Sequence, residues 1–418
     1  MKENLAKDRG AFTLVKKGLF SLLCLLLLFI VGRIPVPGVN TLLIDNLSAS
    51  DTLMMLSMFS GGNLRSFSVL SVGLSPYITA QIIVQLLQSN VSSTITYWGK
   101  SGNVGRNKLT LLSRILTVLF GILQSLSVIY GINVVSFNHF LAINNFFTYL
   151  LLLSLLLSGT FFEMWLADRI TEKGLGNGIA IIIAANIVGQ AVSHFPVRNG
   201  FKSSQTLLLI LVIGVVFYLV MFFNESEEKL YIQYSRREYF AGQNNYIPIK
   251  LLVPNVMPVI FASTLMAIPQ TVLLFYAMHS GTTWYRSLEY YSSLSSGPGM
   301  FIYGCLIFGF TYLYSFIQIE PQKLAESLQR QEAYIPGIAP GKETEQFITD
   351  LLLNMALPGA LFLLTISIGP MLIHYPALNI GGTGVLIVAG VLSEAIRQAR
   401  GVLGQTTFKP FIISGKER

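Results

Sequence analysis

The 418 residues are 52% hydrophobic and only 11% charged, with a net charge of +8 and a mean hydropathy of +0.61. A soluble domain carries about 25% charged residues, so this composition excludes a string of water-soluble globular domains and leaves apolar surface facing lipid. The positive charge does not call for nucleic acid, because Lys and Arg collect in the cytoplasmic loops of membrane proteins.

A helix that crosses a bilayer needs about 20 mostly apolar residues. Ten stretches of that kind recur along the chain, near 18–35, 67–88, 110–134, 141–167, 178–195, 205–223, 253–278, 300–319, 352–374 and 380–398. Lys16 and Lys17 precede the first, but Arg33-Ile-Pro-Val-Pro follows it, so no cleavable signal peptide is expected. Ahead of the second lies 52–63, Thr-Leu-Met-Met-Leu-Ser-Met-Phe-Ser-Gly-Gly-Asn, which is too short to span and ends at a glycine pair. It reads as a half-helix that enters the membrane and turns back, an arrangement tolerated only inside protein or beside a water-filled cavity.

Orientation follows from the basic residues. With the N-terminus inside, the outer loops hold only Arg65, Arg198, Lys202 and Arg286, and Arg33 sits at the outer end of the first span. The rest of the 28 Lys and Arg fall on the cytoplasmic side. An even number of spans places both termini in the cytoplasm. Ten spans divide as five plus five, and an odd number per half inverts the second half relative to the first, which puts a pathway between them. The expected fold class is therefore an all-α polytopic membrane protein of ten transmembrane helices, arranged as two inverted five-helix halves with a short re-entrant helix. The expected halves are 1–200, including 52–63, and 201–418, with cytoplasmic loops 224–252 and 320–350.

Catalytic patterns are missing. Gly337-Ile-Ala-Pro-Gly341-Lys342 is too short for a phosphate-binding loop, and Glu343 stands where Ser or Thr is needed. Gly174-Leu-Gly-Asn-Gly178 joins two helices and follows no strand. His139, His194, His279 and His374 lack metal-ligand spacing. Cys24 and Cys305 both lie in apolar runs and read as small hydrophobes. No cofactor, metal or enzymatic activity is expected, and a membrane-embedded transferase lacks a cluster to carry it. A secondary transporter of small solutes is the alternative. Its expected mark is a mid-span charge, whereas Glu163, Arg114 and Glu394 all lie where they can snorkel to the inner surface.

Several stretches together resemble one family. They are Met58-Phe-Ser-Gly-Gly-Asn-Leu64, Gly73-Leu-Ser-Pro-Tyr-Ile-Thr-Ala-Gln-Ile-Ile-Val-Gln-Leu-Leu87, Ala167-Asp-Arg-Ile-Thr-Glu-Lys-Gly-Leu-Gly-Asn-Gly178, Pro258-Val-Ile-Phe-Ala-Ser263, Tyr334-Ile-Pro-Gly-Ile-Ala-Pro-Gly341 and Gly381-Gly-Thr-Gly384. In this order they are similar to the SecY/Sec61 protein-conducting channels, over about the whole chain. The resemblance implies a central channel subunit that passes unfolded preproteins across the cytoplasmic membrane of a bacterium. It implies a clamshell of two halves and a plug at 52–63 with Leu53, Met54, Met55, Leu56, Met58 and Phe59. It also implies a closing ring of Leu74, Ile78, Ile179, Ile183, Ile260 and Ile387. Leu74/Ile78 and Ile179/Ile183 are i, i+4 pairs that share a helix face, and a ring of branched aliphatics gates by dewetting. Gln85 matches a polar position of the lateral gate, through which signal peptides reach membrane lipid.

The implied partners are a SecA-type ATPase, a SecE-like small membrane subunit and signal-peptide-bearing preproteins. The expected motor-docking positions are Arg236, Arg237, Arg330, Ala339 and Lys342. Two departures stand out. The loop usually basic in this family begins Asn224-Glu-Ser-Glu-Glu-Lys229, and Ala339 stands where Pro-Gly-Ile-Arg-Pro-Gly has its Arg. These resemble the accessory SecY of Gram-positive bacteria, which implies a dedicated accessory SecA, other accessory Sec components and a narrow set of substrates, typically large serine-rich glycosylated adhesins.

Overall fold

The computed structural model describes residues 2–39, 67–88, 93–136, 140, 145–194, 204–234, 246–279, 281–372 and 381–406. The helices there are α1 (Lys2–Val31), α2 (Ser75–Leu86), α3 (Ser93–Lys100), α4 (Gly102–Val135), α5 (Phe146–Lys173), α6 (Gly178–His194), α7 (Ser204–Glu225), α8 (Met257–Phe275), α9 (Thr283–Ser292), α10 (Gly297–Gln318), α11 (Pro321–Arg330), α12 (Lys342–Leu372) and α13 (Gly381–Thr406). Each of the ten apolar stretches overlaps one of them. Among the described residues, six segments are long and apolar enough to cross a membrane: Phe12–Val31, Gly102–Val134, Phe146–Lys173, Met257–Phe275, Gly297–Arg330 and Lys342–Gly369.

The second stretch differs from expectation. A single helix over 67–88 is replaced by a buried irregular segment, 67–74, followed by α2. Gly73 takes φ +65°, which favours glycine, and Pro76 belongs in a first helical turn. The segment is tied to the end of the first span, where the Val36 amide donates to the Phe67 carbonyl at 3.0 Å.

The two expected cytoplasmic loops add two short sheets to the helical fold. Strand β1 (Glu227–Tyr231) pairs antiparallel with β3 (Tyr246–Lys250), and β2 (Gln233–Tyr234) pairs with β4 (Ala333–Tyr334). The apolar residues there alternate with a period of two, as a half-buried strand requires. Leu230 and Ile249 pack with Ile335, Ile348 and Leu352 in a small separate core. The loops 224–252 and 320–350 thus form one platform.

The helices close a circuit. α4 packs on α8, α8 on α10, α10 on α12, α12 on α13, α13 on α6, α6 on α5, and α5 on α4, with α2 held against α4, α5 and α8. Residues before and after 200 therefore meet along two seams: α2 and α4 against α8, and α1 and α6 against α13. The outer surface is apolar, with Leu19, Leu22, Leu26 and Phe29 of α1, Val215 and Phe222 of α7, and Leu353, Leu357 and Leu361 of α12 all exposed. Contiguous exposed apolar surface on this scale belongs in lipid.

Candidate functional site: an aliphatic waist between two seams

The six aliphatic side chains lie on four helices and belong to one large core that many other buried residues share. Leu74 and Ile78 come from the start of α2, Ile183 from α6, Ile260 from the first turn of α8, and Ile387 from α13. All five are buried in one core cluster, with Ile179 of α6 packed against it. The Ile78 amide donates to the Leu74 carbonyl at 3.0 Å, so that pair shares one face.

Small residues allow this convergence, as they do in membrane helix packing generally. A Cβ on Gly384 would lie 2.8 Å from Ile187 of α6, and one on Gly390 would lie 2.6 Å from Val256, just before α8. Gly384 and Gly390 bracket Ile387, so α13 approaches both neighbours closely at that level. On the other side, a Cβ on Gly159 would fall 2.0 Å from the Val69 carbonyl, and one on Gly178 2.0 Å from that of Ala167. These contacts set α5 against the 67–74 segment and against the start of α6.

Gln85 lies on the α2 side of the first seam. Its side chain reaches the Tyr314 hydroxyl of α10, and Tyr314 stacks edge-to-face on Phe261 of α8 at 5.4 Å. Tyr314 was not legible as a seam residue in the sequence, because its partner lies more than two hundred positions away. The opposite seam is clasped by the Gly176 amide, which donates to Gln398 Oε1 of α13 at 2.6 Å.

Asp168 ties α5 to α2 and α4. It accepts from the Tyr77 hydroxyl of α2 at 3.4 Å and pairs with Arg114 of α4 at 3.5 Å. Glu163, one turn earlier on α5, contradicts the expectation that it snorkels. It is fully buried, and neither carboxyl oxygen has a hydrogen-bond partner among the described residues. A buried polar group without a partner costs about 1–3 kcal/mol. Glu163→Leu, similar in size and apolar, is therefore expected to stabilise the protein by about that amount, read as a higher unfolding midpoint in detergent. An unchanged or lower midpoint would mean that the carboxyl is satisfied.

Beside the loop platform lies a cavity of about 310 Å³ lined by Asn177, Lys250, Asn255, Tyr314, Glu394 and Arg397, among others. The Lys250 ammonium is pushed down to about 8, first by burial and then by Arg397; Glu394, Glu227 and Glu225 act in the opposite sense. The cavity wall therefore loses positive charge as pH rises through 8. Arg330 ends α11 exposed and paired with Glu326 at 3.4 Å. Ala339 is exposed in the turn between β4 and α12, and Lys342 is exposed at the start of α12. The Ala339 amide donates to Glu343 at 3.3 Å, and its carbonyl accepts from the Thr344 hydroxyl at 2.9 Å. Gly337 and Gly341 flank it with φ +85° and +108°. Arg236, Arg237 and the plug positions Leu53, Met54, Met55, Leu56, Met58 and Phe59 lie outside the described residues.

The fold and site define a multi-pass helical membrane protein whose helices share one large buried aliphatic core. The SecY family model matches residues 68–396. The chain is 43% identical over 391 residues to "Protein translocase subunit SecY 2" of Lactobacillus kefiranofaciens subsp. kefiranofaciens, covering 91% of this chain and 95% of the relative. It is 36% identical over 411 residues to SecY 1 of the same organism, covering 94% and 95%, and 36% identical over 417 residues to SecY of Bacillus subtilis (strain 168), covering 95% and 96%. Among solved structures it is similar to "The structure of a protein conducting channel" (TM-score 0.69, 17% identity, covering 96% of this chain and 95% of that one). It is also similar to "Sec61 in the Canine ribosome-channel complex from the endoplasmic reticulum" (TM-score 0.64, 17% identity, 96% and 95%). The chain belongs to the SecY family. It is a protein translocase channel subunit of the cytoplasmic membrane, not an enzyme.

Proposed function

We propose that this chain is the pore of an accessory export translocon, through which a partner SecA-type ATPase drives a restricted set of unfolded, signal-peptide-bearing proteins, some of them glycosylated. The observation that carries the reading is the convergence of Leu74, Ile78, Ile183, Ile260 and Ile387 from four helices into one buried cluster, with Ile179 against it. Apolar side chains hold a waist shut without binding water or ions, yet they yield to any polypeptide. The ring, the plug at 52–63 and the gate at Gln85 are read as one closed state. The ten spans are read as two inverted five-helix halves, 1–200 and 201–418, meeting at the two seams. The accessory assignment is supported by the higher identity to SecY 2 than to SecY 1 of one organism and by Ala339 in an exposed turn.

Two experiments test this reading. Purified in mild detergent, the chain is expected to bring down a small helical subunit of the SecE kind and a SecA-type ATPase. Recovery of the chain alone, under conditions that keep a housekeeping translocon intact, would count against it. For orientation, Cys24 and Cys305 are replaced by Ala and a single cysteine is introduced. Ser295→Cys, exposed between α9 and α10, is expected to react with an impermeant thiol reagent on intact cells. Ser235→Cys, which lies outside the described residues, is expected to stay unlabelled. Labelling of Ser235→Cys would invert the topology.

A further inference from the structure

The short helix α9 is not needed to connect α8 with α10, and its placement has a consequence for the membrane. Gln270 Nε2 donates to the Ser292 carbonyl at 3.0 Å, and both residues are almost fully buried. Gln270 lies five residues before the end of α8 at Phe275, so at 1.5 Å per residue it sits about 7 Å below that end. Side chains on a helix lean toward its N-terminus, which here is the opposite end of α8. The bond therefore draws the C-terminus of α9 down beside α8 instead of reaching up to it. Leu294, two residues on, packs against the main membrane core. Ser296 then caps α10, accepting from the Gly299 amide at 3.1 Å.

The two sides of α9 differ sharply. Tyr285, Leu288 and Ser292, at spacings of three and four, turn toward the protein. Trp284, Tyr290 and Tyr291 are exposed at 44%, 55% and 53%. The exposed surface continues onto α8 and the turn after it. Trp284 stacks edge-to-face on Tyr276 at 5.6 Å, Tyr276 on Phe275 at 5.3 Å, and Met278 is exposed beside them. Arg286, also exposed, has no ion-pair partner among the described residues. Rings with an apolar body and one polar tip are enriched at the level of lipid headgroups, and an arginine there meets phosphate.

We propose that α9 lies in the headgroup layer of the bilayer, with Trp284, Tyr290 and Tyr291 as its lipid-facing surface and Arg286 on lipid phosphate, and that it anchors the end of α8 there. The occupant of this surface is phospholipid. The surface is continuous with the lipid-facing side of α8, and the Gln270 bond fixes α9 at that depth. α8 carries Ile260 and forms the first seam with α2 and α4, so the anchor holds one wall of that seam to the membrane. Which leaflet is involved rests on the orientation proposed above.

The test uses Trp284 as its own probe, since the chain has only 3 Trp. Trp98→Phe and Trp165→Phe leave it as the sole indole in the full chain, reconstituted in phosphatidylcholine–phosphatidylglycerol vesicles. Lipids brominated near the headgroup are expected to quench its fluorescence more than lipids brominated deep in the chains, and aqueous iodide is expected to quench it weakly. Adding Tyr290→Ser and Tyr291→Ser should raise iodide quenching and shift emission to the red. Strong iodide quenching with no effect of either brominated lipid would overturn the proposal, since α9 would stand in water. Quenching by no agent would overturn it too, because a protein or a second copy would then cover the face.

Discussion

Replacing Ile78 and Ile183 together by Asn is expected to turn a closed channel into an ion-conducting one. Both side chains are buried in the waist. Each buried aliphatic contributes about 1.5–3 kcal/mol over exposure, and an Asn placed there without a partner costs about 1–3 kcal/mol more. The closed waist therefore loses several kcal/mol, and every 1.4 kcal/mol is a factor of about ten. Polar amides also hold water in the constriction and remove the dewetting barrier. Conductance in planar bilayers should rise by at least about a hundredfold on this arithmetic. Removing residues 52–63 as well should add to it. Wild-type conductance in the combined variant would show that these residues pack against one another without sealing anything.

The second large effect concerns the motor. Ala339 sits in the exposed turn before α12, between two glycines with positive φ, and its backbone already bonds to Glu343 and Thr344. An arginine side chain can therefore be added there without disturbing the backbone. It offers a fork of donors that a bare methyl lacks, and a contact of this kind is worth more than about 1 kcal/mol when it is a hot spot. Ala339→Arg is expected to raise translocation by the general SecA about fivefold or more while changing export by the dedicated ATPase little. Arg330 pairs with Glu326 of its own helix, both exposed, so Arg330→Ala is the matching control. The comparison is ATP-dependent preprotein import into vesicles with each motor. An unchanged response to the general motor would mean that the turn does not select the ATPase.

The sequence pattern was most legible where one physical rule acts alone. Runs of apolar residues marked every helix from α4 to α13 that crosses the waist, because lipid and core impose the same demand on them. The start of the second stretch was misread because apolar content alone hides the break. Gly73 and Pro76 were visible in the chain, and they are what end the irregular segment and begin α2. The loop strands were missed because Leu230, Ile247 and Ile249 make too short an alternation to stand out between long helices. Glu163 was placed at the surface because spacing along a helix gives depth but not what lies opposite. Its complete burial is visible only once the helices around α5 are in place. The aliphatic ring rested on a family resemblance, and Gly384 and Gly390 let α13, which carries Ile387, come close to α6 and to the start of α8.

The central claim is that an ATPase drives polypeptide through this waist. It is tested most directly by reconstituting the chain with a SecE-like subunit and the accessory SecA in proteoliposomes and measuring protease-protected preprotein. The account predicts protection that requires ATP, a signal peptide and the channel, and that is lost when a cross-link holds Ile78→Cys to Ile183→Cys across the waist. Protection that persists with the waist cross-linked would contradict it, because the polypeptide would then be crossing by another route.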